Sequence, residues 1–203
     1  EVSVTNYGGI ITSVKVPDRQ GQIADVVLGY DSLQDYIEDA IYIGSVVGRY
    51  ANRIKGGLLK VGTSTYQLPC NRPGVHLHGG NQGFNKKIWE PQTVQDGRAP
   101  ELRLFLDSPD GDEGYPGNLR TRVSYALTED GSLIIDYQAE TDTPTVVNLT
   151  QHSYFNLAGR GDVTNHLIQT GLVGITAIDA TFVVQLGLKP VDFRTLGSEY
   201  VPS

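Results

Sequence analysis

The chain alternates. Val2 and Val4, then Ile10, Thr12, Val14 and Val16, occupy every second position, with polar or small neighbours between them. Leu102, Leu104 and Leu106 alternate with Arg103, Phe105 and Asp107. Val123, Tyr125 and Leu127 alternate with Ser124, Ala126 and Thr128, and 132–140 (SLIIDYQAE) repeats the pattern less cleanly. Successive side chains of a strand point to opposite faces, so a period of two predicts half-buried strands. Turn clusters separate them: YGG at 7–9, PDRQG at 17–21, KGG at 55–57, DGR at 96–98, SPDGDEGYPG at 108–117 and EDG at 129–131. One short helix is predicted within 30–40 (YDSLQDYIEDA), where Ser32 and Asp35 make a capping-box-like start and Leu33, Tyr36 and Ile37 share a face. Many short strands and little helix predict an all-β fold, an antiparallel β-sandwich. No repeat, linker or composition break interrupts the pattern, so 1–203 reads as one domain.

Charge and composition remove several function classes. The 203 residues carry 16 Lys+Arg against 23 Asp+Glu, a net charge of -7, with no basic run, so nucleic acid and anionic membranes have no electrostatic footprint here. No apolar stretch is long enough to span a bilayer as a helix. Cys70 is the single cysteine, which excludes an internal disulfide and a cysteine-based zinc cluster. That favours a cytoplasmic setting, with an exported form whose leader lies outside this sequence as the alternative. The chain has no methionine and opens inside a strand pattern, so the sequence is expected to be incomplete at both ends. Signatures of nucleotide binding and of a serine-hydrolase elbow are missing from the sequence.

Candidate chemistry concentrates in four places. Period two on NLTQHSYFNL, 148–157, puts Asn148, Thr150, His152, Tyr154 and Asn156 on one face and Leu149, Gln151, Ser153, Phe155 and Leu157 on the other. Five hydrogen-bonding side chains in a row suit a polyhydroxylated ligand, although a structurally satisfied histidine is the commoner outcome on these residues alone. GRYANRI, 48–54, offers the Asn52 amide and the Arg53 fork. VHLHGG, 75–80, places His76 and His78 on one side of a strand; with no third ligand nearby, one histidine lining a pocket is a better reading than a zinc pair. Trp89 in GFNKKIW is expected in the core, and the acids of 107–117 are expected in solvent.

Taken together the motifs resemble a known family. NYGGIITSVKVPD, DVVLGYDSLQDY, GRYANRI, LHGG, GFNKKIW, DGDEGYPGNL and NLTQHSYFNLAG occur in the order seen in the aldose 1-epimerase (galactose mutarotase) family, covering 5 to about 160. The resemblance implies a large antiparallel β-sandwich that interconverts the α and β anomers of galactose, glucose and related aldoses, with no metal or organic cofactor. It implies that His152 is the general acid, that His78 binds sugar and helps polarise the ring oxygen, and that Asn52 and Arg53 contact the sugar. Tyr154, on the same face as His152, is expected to line the cleft. The chemistry requires these types. A base takes the C1 hydroxyl proton, an acid protonates the ring oxygen, the C1–O5 bond breaks, and the ring recloses after rotation; a histidine suits the reversible acid.

In the family the base is a glutamate far toward the C-terminus, expected here beyond Ser203, so the 203-residue chain alone is expected to turn over weakly. Residues 175–197 resemble a shortened form of the segment leading to a DFR motif (Asp192, Phe193, Arg194), and Glu199 has no motif to support it as the base. Two alternatives stay open: a non-catalytic sugar-binding module on the same fold, and an epimerase of hexose phosphates, for which Arg49 with Arg53 is thin support. Preferred sugar and oligomeric state are not set by the sequence.

Overall fold

The computed structural model describes residues 1–94, 100–164 and 166, together with the backbone of 175–178 and 184–187. The chain divides into two compact units, Glu1–Gly159 and Arg160–Ser203. The DGR turn at 96–98, the DFR motif and Glu199 lie outside the described residues.

The first unit begins with three antiparallel strands, β1 (Val2–Thr5), β2 (Ile10–Pro17) and β3 (Ile23–Asp25), in spatial order. Helix α1 (Leu33–Glu38) follows. Its Ser32 cap accepts the Asp35 amide at 3.3 Å, as the capping box predicts. Lys86 closes the other end, its Nζ donating to the carbonyls of Ile37 and Asp39 at 2.7 and 2.8 Å. The expected apolar face is narrower than its sequence: Tyr36 is buried, whereas Leu33 and Ile37 are 55 % and 43 % exposed. Six residues make too few turns for a wide face to reach the core.

Short ladders come next: β4 (Val46–Val47), β5 (Arg53–Lys55), β6 (Leu58–Val61), β7 (Ser64–Gln67) and β8 (Val75–Leu77), with β6 paired to β7 and β5 to β8. The largest sheet follows, of β9 (Glu90–Val94), β10 (Glu101–Ser108), β11 (Leu119–Leu127) and β12 (Leu133–Thr141), all antiparallel in the order β12-β11-β10-β9. Its alternation is the one read from sequence. Leu104 pairs with Val123 and Leu106 with Thr121, and all four are buried, while Asp107 and Arg120 opposite it are exposed. This inner face packs against Ile11, Val46, Phe84 and Trp89 to form the main core. Trp89 is fully buried, edge-on to Phe84, and its Nε1–H donates to the Phe84 carbonyl at 3.1 Å, as expected of a core tryptophan.

β13 (Thr150–Gln151) pairs with β4, so the run 148–157 is a strand over only two residues. Elsewhere the run makes only isolated bridges, and its partner changes: Asn148 bridges Tyr50 and Phe155 bridges Val27. A single long ladder is not available to it because its backbone hydrogen bonds go to two different stretches, 44–51 and 26–28. In the second unit, the backbone of β14 (Ile175–Ile178) pairs antiparallel with β15 (Val184–Gly187).

One alternative loses support here, and one expectation holds only in part. Arg49 is not a cleft residue. It is buried, and its guanidinium donates to the carbonyls of Ser108, Pro109 and Pro116 at 2.7–2.9 Å and to Ser108 Oγ at 3.0 Å. The acids of 107–117 are not simply solvated. Asp112 accepts from Lys87 Nζ at 2.8 Å, and Glu113 accepts the amides of Asn81 and Gln82 at 2.9 and 2.8 Å. Arg49 gathers the acidic loop from below, while Glu113 ties it to the turn after β8.

Candidate active site

Four backbone segments of the first unit bring His78 and His152 together. The first is the turn at 77–80. Gly79 sits with φ of 89°, and a Cβ there would lie 1.7 Å from the Gly48 carbonyl oxygen, so only glycine lets the chain pass this close. The second is the start of β5. The Asn52 amide donates to His78 Nδ1 at 2.9 Å, and the His78 amide donates to the Asn52 carbonyl at 3.0 Å. This two-way clamp decides the imidazole's tautomer. With Nδ1 accepting, the neutral ring carries its proton on Nε2.

His76 does not share this site. β8 ends at Leu77 and His78 takes a left-handed conformation with φ of 51°, which breaks the period-two placement. His76 is fully buried, with Nδ1 2.7 Å from the Pro69 carbonyl and Nε2 2.7 Å from the Tyr115 hydroxyl. A carbonyl only accepts, so Nδ1–H donates to it and Nε2 accepts from the phenol. That is a satisfied structural histidine.

The third segment is the extended run. The His152 amide donates to the Ser45 carbonyl at 2.9 Å, and the His152 carbonyl accepts the Gly44 amide at 3.0 Å. The His152 ring stands edge-on to His78, centroids 5.3 Å apart, and Tyr154 lies 5.2 Å away on the same side. Tyr154 is exposed and its hydroxyl donates to the Ile41 carbonyl at 3.0 Å. Asn148 Nδ2 donates to the Ala51 carbonyl at 3.1 Å. Arg53 is half-buried beside Asn52, with Nη1 donating to the Asn52 side-chain oxygen at 3.3 Å.

The fourth segment, 42–45, was not singled out in the sequence. Tyr42 is buried, with φ of 63°, and its ring packs edge-on to His78 at 4.7 Å and tilted to His152 at 5.9 Å. Nothing in IYIG announces a tyrosine in the left-handed region, which aromatic residues rarely occupy. Asn71 was also missed. Its Nδ2 donates to the carbonyls of Leu77 and Gly80 at 2.9 Å, and its Oδ1 accepts the Leu77 amide at 2.7 Å, bracing the turn that carries His78. The Asn-Arg-Pro-Gly run at 71–74 is a turn signal that could have flagged it.

The electrostatics keep both rings neutral near pH 7. Burial, with the Arg53 and Arg72 charges nearby and that of His152 once it protonates at lower pH, pushes His78 down to about 4. Burial also pushes His152 below the ordinary imidazole value, with Asp39 opposing. Asp39 is itself engaged, accepting from the Tyr30 hydroxyl at 2.9 Å and the Ile43 amide at 3.3 Å. The arrangement offers a neutral N–H donor at His78, a proton-exchanging imidazole at His152, and amide and guanidinium donors beside them. Arg49 lies elsewhere, which halves the arginine support for a hexose-phosphate ligand. Among the described residues no group of three or more His, Cys, Asp or Glu is placed to hold a metal ion. No helix among them is long and apolar enough to cross a membrane.

An antiparallel β-fold here brings two imidazoles into contact beside amide and guanidinium donors, an arrangement that can exchange protons with a polar ligand. The chain belongs to the aldose 1-epimerase family, whose model matches residues 1–195. It is 42 % identical over 193 residues to a galactose mutarotase of Mus musculus, an alignment covering 94 % of this chain and 55 % of that protein. It is 35 % identical over 209 residues to an aldose 1-epimerase of Escherichia coli (strain K12), covering 98 % and 60 %. Among solved structures, a GalM/aldose epimerase homologue from C. elegans superposes with a TM-score of 0.84 at 30 % identity, covering 95 % of this chain and 60 % of that one. The chain thus spans between about half and two thirds of the length of these relatives.

Proposed function

We propose that the protein containing this chain is an aldose 1-epimerase acting on galactose- and glucose-type sugars, and that this chain supplies the acid side of the site. The observation that carries the reading is the contact between His78 and His152, brought edge-on from distant segments and flanked by Asn52 and Arg53. His152 gives a proton to the ring oxygen as the C1–O5 bond breaks, and takes it back on reclosure. Its lowered pKa makes the protonated ring a stronger acid but a rarer one at neutral pH, two effects that partly offset. His78, neutral and donating from Nε2, stabilises charge at the ring oxygen without competing for the proton. Asn52 and Arg53 hold sugar hydroxyls. We place the acceptor of the C1 proton outside the described residues, because Asp39, the carboxylate whose charge acts on His152, is committed to Tyr30 and Ile43.

Polarimetry of freshly dissolved α-D-galactose tests this, run with the 203-residue chain in the presence and absence of formate as an external base. The expected result is acceleration over the spontaneous rate that formate enhances and that disappears in His152→Ala. An undiminished rate in a folded His152→Ala protein removes His152 from the acid role. Galactose binding with no His152-dependent acceleration points to a non-catalytic sugar-binding module instead.

A further inference from the structure

The turn at 42–45 touches His152 through both backbone and side chain, and His78 through the side chain. Its backbone grips His152, through the Gly44 amide on the His152 carbonyl at 3.0 Å and the Ser45 carbonyl on the His152 amide at 2.9 Å. Its Tyr42 ring contacts both imidazoles. The turn holds its own shape, since Ser45 Oγ and the Ser45 amide both donate to the Tyr42 carbonyl, at 3.0 and 3.2 Å. At the far end of the ring, Asn71 lies against the Tyr42 hydroxyl and braces the turn that carries His78.

We propose that Tyr42 is a positioning residue for the histidine pair, its ring serving as the shared wall that fixes both imidazoles in their edge-on arrangement and keeps water from them. The inference rests on the acid–base reading of that pair. Two features carry it. A buried aromatic residue in the left-handed region is strained, and such strain persists where the surroundings over-determine it. The same short turn also fixes the backbone of one histidine and the ring environment of both. The groups facing the pair are few enough to name. His78 meets Tyr42 and His152, with Asn52 and Arg53 at the start of β5 and Arg72 from the 71–74 turn. His152 meets Tyr42, His78 and Tyr154, with Asp39 acting on it by charge. A ring that excludes water from His78 contributes directly to the burial that holds it near 4.

The test compares Tyr42→Phe, which keeps the wall, with Tyr42→Leu, which removes the ring. Imidazole titrations followed by nuclear magnetic resonance on the sugar-free chain give a readout independent of activity. In Tyr42→Phe, His78 stays near the wild-type value. In Tyr42→Leu, His78 moves up from about 4 toward 6.5 and its single-tautomer signature is lost. In the mutarotation assay Tyr42→Leu loses on the order of tenfold or more in kcat with little change in KM, as expected when reacting groups are misplaced. Should Tyr42→Leu fail to fold, Tyr42→Asn, whose side chain tolerates the left-handed backbone, carries the same readout. Unchanged titrations of both histidines in a folded variant lacking the ring overturn the proposal. If the titrations move while wild-type protein leaves the spontaneous rate unaltered, the acid–base reading fails and the structural role of Tyr42 survives.

Discussion

Acid should destabilise this protein through His78 before it protonates most carboxylates. A folded pKa near 4 against an ordinary 6.5 means that the unfolded chain binds a proton which the folded chain refuses between those values. Stability is therefore full above pH 6.5 and falls as the pH drops toward 4. Between pH 7 and pH 5 a ring with those two values loses about 2 kcal/mol. The site is partly open to solvent, which screens some of that charge, so about 1 kcal/mol is the expected share. Asp25 and Glu101, whose pKa values are also lowered, start from 3.8 and 4.5, so their losses fall mostly below this window.

The perturbation is His78→Asn, chosen because asparagine accepts the left-handed backbone that His78 occupies. Urea unfolding of both proteins at pH 7 and pH 5 gives four free energies. The variant loses ring contacts with Tyr42 and His152 at both pH values, so its absolute stability drops throughout. The informative quantity is the double difference, in which contributions shared with His76 cancel. Wild type should lose about 1 kcal/mol more than His78→Asn on going from pH 7 to pH 5. Equal losses in the two proteins refute the claim that His78 is held neutral by its surroundings.

Other consequences are structural. Arg49→Met leaves three carbonyls and the Ser108 hydroxyl without their buried donor, and should cost about 3–5 kcal/mol in urea unfolding. Trp89→Ala should cost about 3–5 kcal/mol, read by circular dichroism because the sole tryptophan is gone. Gly79→Ala puts a Cβ against backbone at Gly48 and should abolish folding or the His78 clamp, seen as loss of the His78 signal that titrates near 4.

The sheet was legible because its code is local. Leu104, Leu106, Val123 and Tyr125 alternate in sequence and turn inward in the structure for the same reason, the pleat of a strand. The side-by-side placement of His152 and Tyr154 was legible on period two, while the roles expected of them rest on the motif shared with the family. His76 and His78 were placed wrongly on one side because a single left-handed residue ends the alternation, and no residue-level pattern announces such a residue when it is histidine. Arg49 and Arg53, four residues apart in one motif, looked like two of a kind. Their fates diverge because Arg49 meets carbonyls of the loop at 108–116, a contact that spans about sixty positions. Tyr42 was invisible for the same reason: its importance lies in what it touches.

The backbone adds an argument that neither motif nor contact supplies alone. Among the described residues four non-glycines have positive φ: Tyr42, Asn52, His78 and Glu113. Tyr42, His78 and Glu113 each cost about 1–2 kcal/mol relative to an ordinary conformation, and Asn52 costs less because asparagine tolerates it, a large sum beside a typical folding free energy of about 5–15 kcal/mol. All four bear on one small region. Asn52 and His78 clamp each other, Tyr42 packs on His78, and Glu113 caps the two amides that follow Gly80. Strain scattered at random would not converge on one histidine-bearing turn. The buried Arg49 network and the Trp89 core supply the stability that tolerates it, and the tension is held where the acid–base reading needs two imidazoles fixed.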